Sequence, residues 1–333
     1  MNERISYFDN LKFACILLVV IGHAFVNHTG ISYYYGAIEC FICLFHMPVF
    51  LFVSGIFHNN KNVSNKVVVL FVYLMLAKCI SFFCDKVSGN QPDITIFVQR
   101  GWDWFLAALI VYAMVSFFLR DINPVFVICV SVLIGCMAGY DNGLMSGKFY
   151  GRLITWYPFY YLGSVIDRKK LVGLFEKYGR IKWMPGCLIL AAWGGYCIIR
   201  RSSIMRIWEF INPTAIYAEL PFNATAFSRL LYYCFVIIIG LSFMLIIPTK
   251  RTIMTDLGKR TLSVYLLHML VRSFLYKYRV ADILLTSLWG ALMYVLLWIV
   301  LTVVLSAKLF YQPLSLIKTA SYKNENKESN KTE

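Results

Sequence analysis

The first apolar stretch of the chain, Tyr7 to His28, carries the ionisable side chains of Asp9, Lys12, His23 and His28. Ionisable groups inside hydrocarbon cost several kcal/mol each, so they usually face a bundle interior or a wet cavity and serve a function. An imidazole exchanges protons near neutral pH, and an ammonium group binds anions such as phosphate. We therefore consider this stretch first as a site of chemistry. The alternative is a cytoplasmic flank followed by a buried, hydrogen-bonded histidine.

Helical spacing places Lys12 and His23 on one face of this stretch. Eleven positions separate them; at about 100° per residue only ~20° remains between the two side chains, and at ~1.5 Å per residue they lie roughly 16 Å apart. Asp9 precedes Lys12 by one turn on a similar face. A fixed positive charge near one surface and an imidazole deep in the membrane indicate a site that is reached from both sides.

A second stretch of similar character, FHMPVFLFVSGIFHNN, occupies residues 45–60. Pro48 removes a backbone donor and should kink or break the helix, which would expose carbonyl groups to a cavity beside His46. Ser54 and Gly55 permit the close approach of another helix. The alternative is a kinked packing helix that contains one satisfied histidine.

The composition is typical of an integral membrane protein. Hydrophobic residues make up 59% of the 333 residues and charged residues only 15%, whereas soluble domains are about half apolar and a quarter charged. The net charge of +15 comes from basic residues in short loops. This pattern favours contact with anionic lipid headgroups over nucleic-acid binding. Cys40 and Cys43 lack the further ligands of a zinc site, so we expect no metal.

We predict an all-α fold, a polytopic bundle of about ten transmembrane helices with both termini cytoplasmic. Runs of about 17 to 25 apolar residues mark the spans, and Lys and Arg are concentrated in alternate loops. The membrane domain would comprise residues 1–318, and the polar tail, residues 319–333, would be disordered. The predicted spans are residues 8–26, 37–57, 67–85, 102–119, 123–140, 152–167, 183–200, 228–248, 261–279 and 283–311.

Two segments on the predicted outer side each allow two interpretations. Trp102 and Trp104 begin the fourth span either as anchors at the membrane interface or as a stacking platform for a sugar ring. Residues 200–229 contain four arginines and aromatic residues such as Trp208. That mixture suits a carbohydrate or a phosphate-bearing lipid, and a solvated loop is the simpler interpretation.

Five motifs, in order along the chain, resemble the acyltransferase-3 superfamily of integral-membrane acyltransferases, particularly its fucose-4-O-acetylase-like branch. A basic residue and a histidine with ten residues between them appear as Lys12 and His23. The other motifs are FHMPVFLFVSG (45–55), WFLAAL (104–109), FYYLGSVIDRKK (159–170) and LGKRTLSVYLLH (257–268). Together they cover nearly the whole chain.

The resemblance implies transfer of an acyl group, usually acetyl from acetyl-CoA, to a sugar hydroxyl of a surface glycan or its lipid-linked precursor. It implies that His23 is the central catalytic residue and that Lys12 handles the acyl donor. It also implies a multi-pass protein of the inner (cytoplasmic) membrane. Many members have Arg at the position of Lys12 and an arginine-rich start to the third helix, where this chain has only Lys66. A lysine can hold a phosphate, but without the bidentate fork of arginine.

Two mechanisms agree with these residues. His23 can take the proton of the sugar hydroxyl as a general base, or it can accept the acyl group and pass it outward as an acyl-imidazole. Asp9 would orient Lys12 or hold a water molecule, and His46 would orient His23 or contact the acceptor. His268 is a weaker candidate for that contact. The expected site therefore comprises His23, Asp9 and His46 for catalysis, with Lys12 and Lys66 on the phosphates of coenzyme A.

A transporter or flippase of a glycan or lipid precursor is the alternative function. Ten spans, broken helices and intramembrane charges also describe transporters. An inverted repeat in the sequence would favour transport, and we find none. Consumption of a CoA thioester would distinguish the two functions.

Overall fold

The computed structural model describes residues 5–26, 28, 31–92, 101–145, 149–179 and 181–329. Every element in these residues is helical and none is a strand, which confirms the predicted all-α class. The α-helices, in chain order, are α1 (Ser6–Phe25), α2 (Tyr33–Cys43), α3 (His46–Ile56), α4 (Val63–Ser88), α5 (Trp104–Phe118), α6 (Pro124–Met137), α7 (Asn142–Met145), α8 (Phe149–Val165), α9 (Arg168–Lys177), α10 (Trp183–Ile199), α11 (Trp208–Ile211), α12 (Ala226–Ile246), α13 (Ile253–Gly258), α14 (Thr261–Lys277), α15 (Val280–Leu284), α16 (Leu288–Leu305) and α17 (Lys308–Ser329).

Among the described residues, five helical stretches are long and apolar enough to cross a membrane: Ser6–Phe25, Tyr33–Ile56, Asn60–Ser88, Ala226–Ile246 and Leu288–Leu305. Shorter apolar helices cover Trp104–Phe118, Pro124–Tyr140 and Trp183–Ile199. The chain is therefore a multi-pass membrane protein. The count of ten spans and the cytoplasmic termini stay predictions.

The end of the chain differs from the sequence prediction. The predicted tenth span, residues 283–311, is not one helix, because α15 ends at Leu284, α16 ends at Leu305 and α17 begins at Lys308. Helix α17 continues to Ser329, across the predicted domain boundary at residue 318. The division into a membrane domain and a disordered tail stays a prediction, and residues 330–333 lie outside the described residues.

The helices form two compact units. The first comprises Met1–Phe57 and Asp121–Lys259, and the second comprises His58–Arg120 and Arg260–Glu333. Each unit therefore combines an early and a late part of the chain.

In the first unit, the side chain of Asn10 joins α1 by hydrogen bonds to the segment that leads into α13. Its side-chain amide donates to the carbonyl oxygens of Pro248 (2.8 Å) and Lys250 (2.9 Å). Its carbonyl oxygen accepts from the hydroxyl groups of Thr252 (3.0 Å) and Thr255 (2.6 Å). A buried amide is stable only when its donors and acceptor are paired, so these four bonds fix the register of α1.

The predicted break near Pro48 is present, but it precedes the proline. Helix α2 ends at Cys43 and α3 begins at His46, with Phe45 in a non-helical conformation (φ −125°, ψ −24°). Pro48 is the third residue of α3, where a backbone N–H has no partner within the helix. The proline therefore fits the beginning of a helix and removes no hydrogen bond from its middle.

Helices α3 and α8 pack backbone to backbone, as the Ser54–Gly55 pair predicted. A side-chain carbon at Gly55 would collide with the carbonyl oxygen of Tyr160, and one at Gly163 would collide with that of Phe52. Small residues allow this close approach in membranes. It holds α3, and with it His46, against the rest of the first unit.

Residues 204–220, which we call the 204–220 segment, pack against the rest of the first unit and do not form a solvated loop. Ile204, Ile211 and Tyr217 are buried. The guanidinium of Arg229, which is fully buried at the start of α12, donates to the carbonyl oxygen of Phe210 (2.7 Å) and lies 4.0 Å from its ring centroid. Apolar burial and this arginine together hold the segment in place.

The second unit contains α4, α5, α14, α15, α16 and α17. Lys78 on α4 forms a buried ion pair with Asp103 (2.5 Å), which precedes α5. Trp102 is buried; its carbonyl oxygen accepts from the Tyr265 hydroxyl (2.8 Å) and its ring packs on His268. Trp104 is buried too. Both tryptophans therefore belong to the interior of this unit, so neither an interfacial anchor nor an open platform describes them.

Candidate functional site

The two charged residues at the beginning of α1 form an ion pair. The Lys12 Nζ atom lies 2.7 Å from an Asp9 carboxylate oxygen and 4.9 Å from the centroid of the Phe57 ring. The Asp9 side chain is only 1% exposed, whereas that of Lys12 is 21% exposed. The carboxylate and the ring thus fix an ammonium group that is partly accessible to a ligand.

Other basic groups lie near this end of α1, because α13 packs against α1. Lys259 and Arg251 donate to Asp256 (2.7 and 3.0 Å). These hydrogen bonds, that from Lys259 first, lower the pKa of Asp256 to about 2. The carboxylate therefore remains charged at any physiological pH. With Lys250 and Lys12, the cations outnumber the carboxylates here, which favours an anionic ligand.

One predicted histidine of the first unit, His46, bonds Ile42 of α2, and the other, His23, follows a residue of α1 that faces Ile42. His23 is in the last turn of α1, directly after Gly22, and a side-chain carbon at Gly22 would lie 3.7 Å from the Ile42 side chain. The His46 Nδ1 atom is 2.8 Å from the Ile42 carbonyl oxygen. The ends of α1 and α2 and the beginning of α3 therefore meet around one residue.

The spacing along α3 matches the spacing along α1. The Lys12 ammonium contacts the Phe57 ring, and α1 packs against α3. His46 precedes Phe57 by eleven positions, and His23 follows Lys12 by eleven. For helices that run antiparallel, equal steps of roughly 16 Å, each with ~20° of rotation, predict that His46 and His23 lie at one level.

The hydrogen bond of His46 shows which of its ring nitrogens carries a hydrogen. A carbonyl oxygen only accepts, so Nδ1 carries the hydrogen and donates it to Ile42. In the neutral imidazole, Nε2 then has a lone pair that can accept a proton or a hydrogen bond. The Nε2 atom of His46 can therefore accept a hydrogen bond from His23 or from a hydroxyl group.

A buried carboxylate that sequence reasoning missed lies on α2. Glu39 is 3% exposed, and one of its oxygens accepts from the Trp208 indole (2.8 Å). It is the only acidic residue in the predicted second span. The rule that singled out His23, an ionisable group within an apolar run, would also have found Glu39.

The remaining predicted residues lie in the second unit. Lys66, in the first turns of α4, is partly buried, and its charge acts on His58. Burial, together with that charge, lowers the pKa of His58 below its usual value. His268 is fully buried, with Nδ1 close to the Tyr265 carbonyl oxygen (2.8 Å), and it packs among aromatic rings. His268 therefore serves the interior of that unit.

Within the part of the chain that the structure describes, no group of His, Cys, Asp or Glu side chains could hold a metal ion. The cysteines are all free thiols. The arrangement therefore offers imidazoles, carboxylates and ammonium groups for proton transfer, nucleophilic attack and anion binding.

Comparison with known families gives a match that covers most of the chain. No curated protein and no solved structure matches the sequence. A family model described as an acyltransferase domain matches residues 5–311.

Proposed function

The chain belongs to the acyltransferase-3 family, and from that premise we propose that it is an O-acetyltransferase of the cytoplasmic membrane. In this proposal it moves an acetyl group from acetyl-CoA to a hydroxyl group of a surface polysaccharide or of a lipid-linked glycan precursor. Its relation to the fucose-4-O-acetylase-like branch is part of the proposal.

The observation that carries the proposal is the matched spacing of α1 and α3. It supports a site with an ammonium group at one end and two imidazoles at the other, roughly 16 Å apart. A donor on one side of the membrane and an acceptor on the other require such a path. The partly exposed Lys12 suits the donor end, and His23 with His46 suits the transfer end.

At the donor end, Lys12 would contact a phosphate of coenzyme A, with Asp9 holding its ammonium group in position. Charge-assisted contacts to phosphate are among the stronger hydrogen bonds. Lys66 is the second residue that we propose to bind a phosphate of coenzyme A. The basic residues around α13 would add to the local positive potential.

At the transfer end, His23 acts in one of two ways. As a general base, its imidazole takes the proton of the acceptor hydroxyl while the oxygen attacks the thioester carbonyl, and coenzyme A leaves with a proton. As a nucleophile, the imidazole nitrogen displaces coenzyme A, which leaves as the thiol with the imidazole proton; the hydroxyl oxygen then displaces the imidazole from the acyl carbon, and the hydroxyl proton passes to the imidazole. In both, His46 Nε2 would orient His23 or the hydroxyl group.

Mass spectrometry of surface glycans tests the proposal. Glycans from cells that lack the gene would be compared with those from cells complemented with wild type, His23→Ala or His58→Ala. We expect one acetyl mass to be lost from an otherwise intact glycan, and wild type and His58→Ala to restore it. His23→Ala, inserted normally in the membrane, should not restore it.

Two other results would contradict the proposal in different ways. Restoration of the acetyl group by His23→Ala would exclude His23 as the catalytic residue. Loss of the whole glycan, restored by both histidine variants, would indicate transport of a precursor.

A further inference from the structure

A cavity of about 160 Å³ lies among α3, α8 and α12 of the first unit, with the beginning of α9 at one end. Every residue that the structure shows in its walls is apolar; Val49 of α3, Leu162 of α8 and Val236 of α12 are examples. An apolar cavity of this size excludes water and accepts hydrocarbon. It therefore suits an apolar chain and not a polar substrate.

The cavity follows α12 and is open at the side of the bundle. It extends along this helix from Val236 to Met244, roughly 12 Å at ~1.5 Å per residue. Ile237 and Leu241, which line it, are exposed on the surface of α12. Because α12 is apolar and long enough to cross a membrane, this opening faces the hydrocarbon chains of lipids.

Helix α9 begins where the cavity meets the end of α12. Leu171, in the first turn of α9, and Met244, in the last turn of α12, both line the cavity. Val172 and Phe175 of α9 are buried, whereas the apolar Leu174 is exposed. Amphipathic helices with basic residues lie in the plane of the membrane interface. The start of α9 is therefore at the depth of lipid headgroups.

The first turn of α9 carries an excess of positive charge. Arg168, Lys169 and Lys170 occupy this turn, where cations oppose the helix dipole and do not stabilise the helix. Asp167 caps the helix by accepting from the N–H groups of Lys169 and Lys170. This carboxylate does not balance the charges of the arginine and both lysines. Basic residues in excess at the interface attract anionic headgroups.

Helical spacing places Arg168 on the cavity side of α9. It lies about 60° from Leu171 and about 40° from the buried Val172, at ~100° per residue. Arg168 is half-buried, whereas Lys169 and Lys170 are exposed. A guanidinium binds a phosphate through two hydrogen bonds. A phosphate at this end of the cavity would thus be close to all of these cations, and a chain attached to it would follow α12 inward.

We propose that the cavity and the first turn of α9 form a binding site for an anionic phospholipid. An acyl chain occupies the space among α3, α8 and α12, and Arg168, Lys169 and Lys170 bind the phosphate. The opening beside α12 favours a membrane lipid over a soluble anion, and the excess of cations favours an anionic lipid over a zwitterionic one. The site does not depend on the proposed acyl transfer.

Binding at this site should stabilise the first unit. The Phe175 ring packs on the Tyr7 ring (5.5 Å between centroids), and the Tyr7 hydroxyl donates to the Met244 carbonyl oxygen (2.8 Å). Helices α1, α9 and α12 therefore meet beside the cavity. A ligand that binds only the folded protein raises its Tm.

The test uses the full-length protein, purified in detergent and depleted of lipid. Its thermal unfolding is followed as dioleoylphosphatidylglycerol is added. Dioleoylphosphatidylcholine has the same chains without net charge, and glycerol phosphate has the anionic group without chains. We expect a saturable rise of Tm with phosphatidylglycerol, and apparent affinities at least tenfold weaker for the other two ligands. Native mass spectrometry should show a retained phosphatidylglycerol molecule.

A charge variant tests the headgroup contacts. Arg168, Lys169 and Lys170 are replaced by Gln together, which should weaken the apparent affinity for phosphatidylglycerol about tenfold or more, because each basic residue near a headgroup contributes to binding. The matched control receives the same change of charge at exposed lysines elsewhere and should bind as wild type. Its positions are Lys177, Lys277 and Lys308.

A pair of tryptophan variants tests the cavity. Ile237→Trp places a large ring at the mouth of the cavity and should weaken phosphatidylglycerol binding about tenfold. Ile238→Trp is the matched control, because this neighbour is exposed to the same degree but does not line the cavity. The pair changes no charge, so it decides the question even if the charge variant does not fold.

Equal shifts of Tm with phosphatidylglycerol and phosphatidylcholine would overturn the inference. So would wild-type affinity in the charge variant, or equal affinities in the two tryptophan variants, since lipids would then surround the helices without a specific site. Tighter binding of a polyprenyl phosphate, with displacement of phosphatidylglycerol, would also overturn it by assigning the site to another lipid. None of these measurements uses acetyl-CoA, so their failure is distinct from failure of the proposed function.

Discussion

Gly258 lies directly against the backbone of Asp9, and there is no room between them for a side-chain carbon. Through this contact the LGKR stretch approaches the first helix at the residue that pairs with Lys12. The glycine and the ion pair are thus parts of one structure at the proposed donor end.

Substitution of Gly258 by Ala should disturb this end of α1. The added methyl group would collide with the Asp9 carbonyl oxygen, so the helices must separate. Overpacking of this kind costs about 1–3 kcal/mol. Thermal unfolding in detergent should show a lower Tm, together with a raised KM for acetyl-CoA. Gly173→Ala, where the new carbon meets nothing within 4 Å, is the control.

Asn10→Asp should destabilise the first unit by about 2 kcal/mol or more, because two carbonyl oxygens lose their donor and face a carboxylate. The carbonyl groups concerned are those of Pro248 and Lys250. Denaturation of the purified protein measures the effect. Asn90→Asp, at an exposed position, receives the same chemical change. Equal Tm values for the two variants would show that the four bonds of Asn10 do not hold α1.

Lys12→Met should raise the KM for acetyl-CoA about tenfold, while Lys12→Arg should remain near wild type because guanidinium also binds phosphate. The wild-type KM should rise with ionic strength, since salt screens the partly exposed ammonium. Lys318→Met removes an exposed charge and serves as control. A normal KM in a stable Lys12→Met protein would remove this residue from the donor site.

His46→Asn should lower acetyl transfer by about 100-fold or more while preserving the fold. The asparagine amide can still donate to the Ile42 carbonyl oxygen, but it has no counterpart of Nε2. His268→Asn is the matched control, because that ring also bonds helix carbonyl oxygens through Nδ1. Comparable activity in both variants would leave His46 with a structural role only.

Local patterns predicted much of the fold. Helix α1 was predicted over residues 8–26 and occupies Ser6–Phe25, and α12 was predicted over 228–248 and occupies Ala226–Ile246. Length and hydropathy decide such helices. The same rules placed Lys12 and His23 on one helix face.

Contacts between distant residues were not predictable in this way. The partners of Asn10 are about 240 positions along the chain, and no local pattern identifies them. The burial of residues 204–220 depends likewise on Arg229 and on the packed ends of other helices. A mixed polar and aromatic composition is found both in solvated loops and in folded segments. Composition alone therefore suggested a solvated loop, which was wrong.

The folded state of residues 204–220 affects how the chain can be engineered. From composition this stretch would be the natural place for an epitope tag or a topology reporter, because insertions are best tolerated at exposed loop tips. Here an insertion would separate Trp208 from Glu39 and Phe210 from Arg229. A fusion at residues 89–91, which are exposed, avoids these bonds and would report on an intact protein.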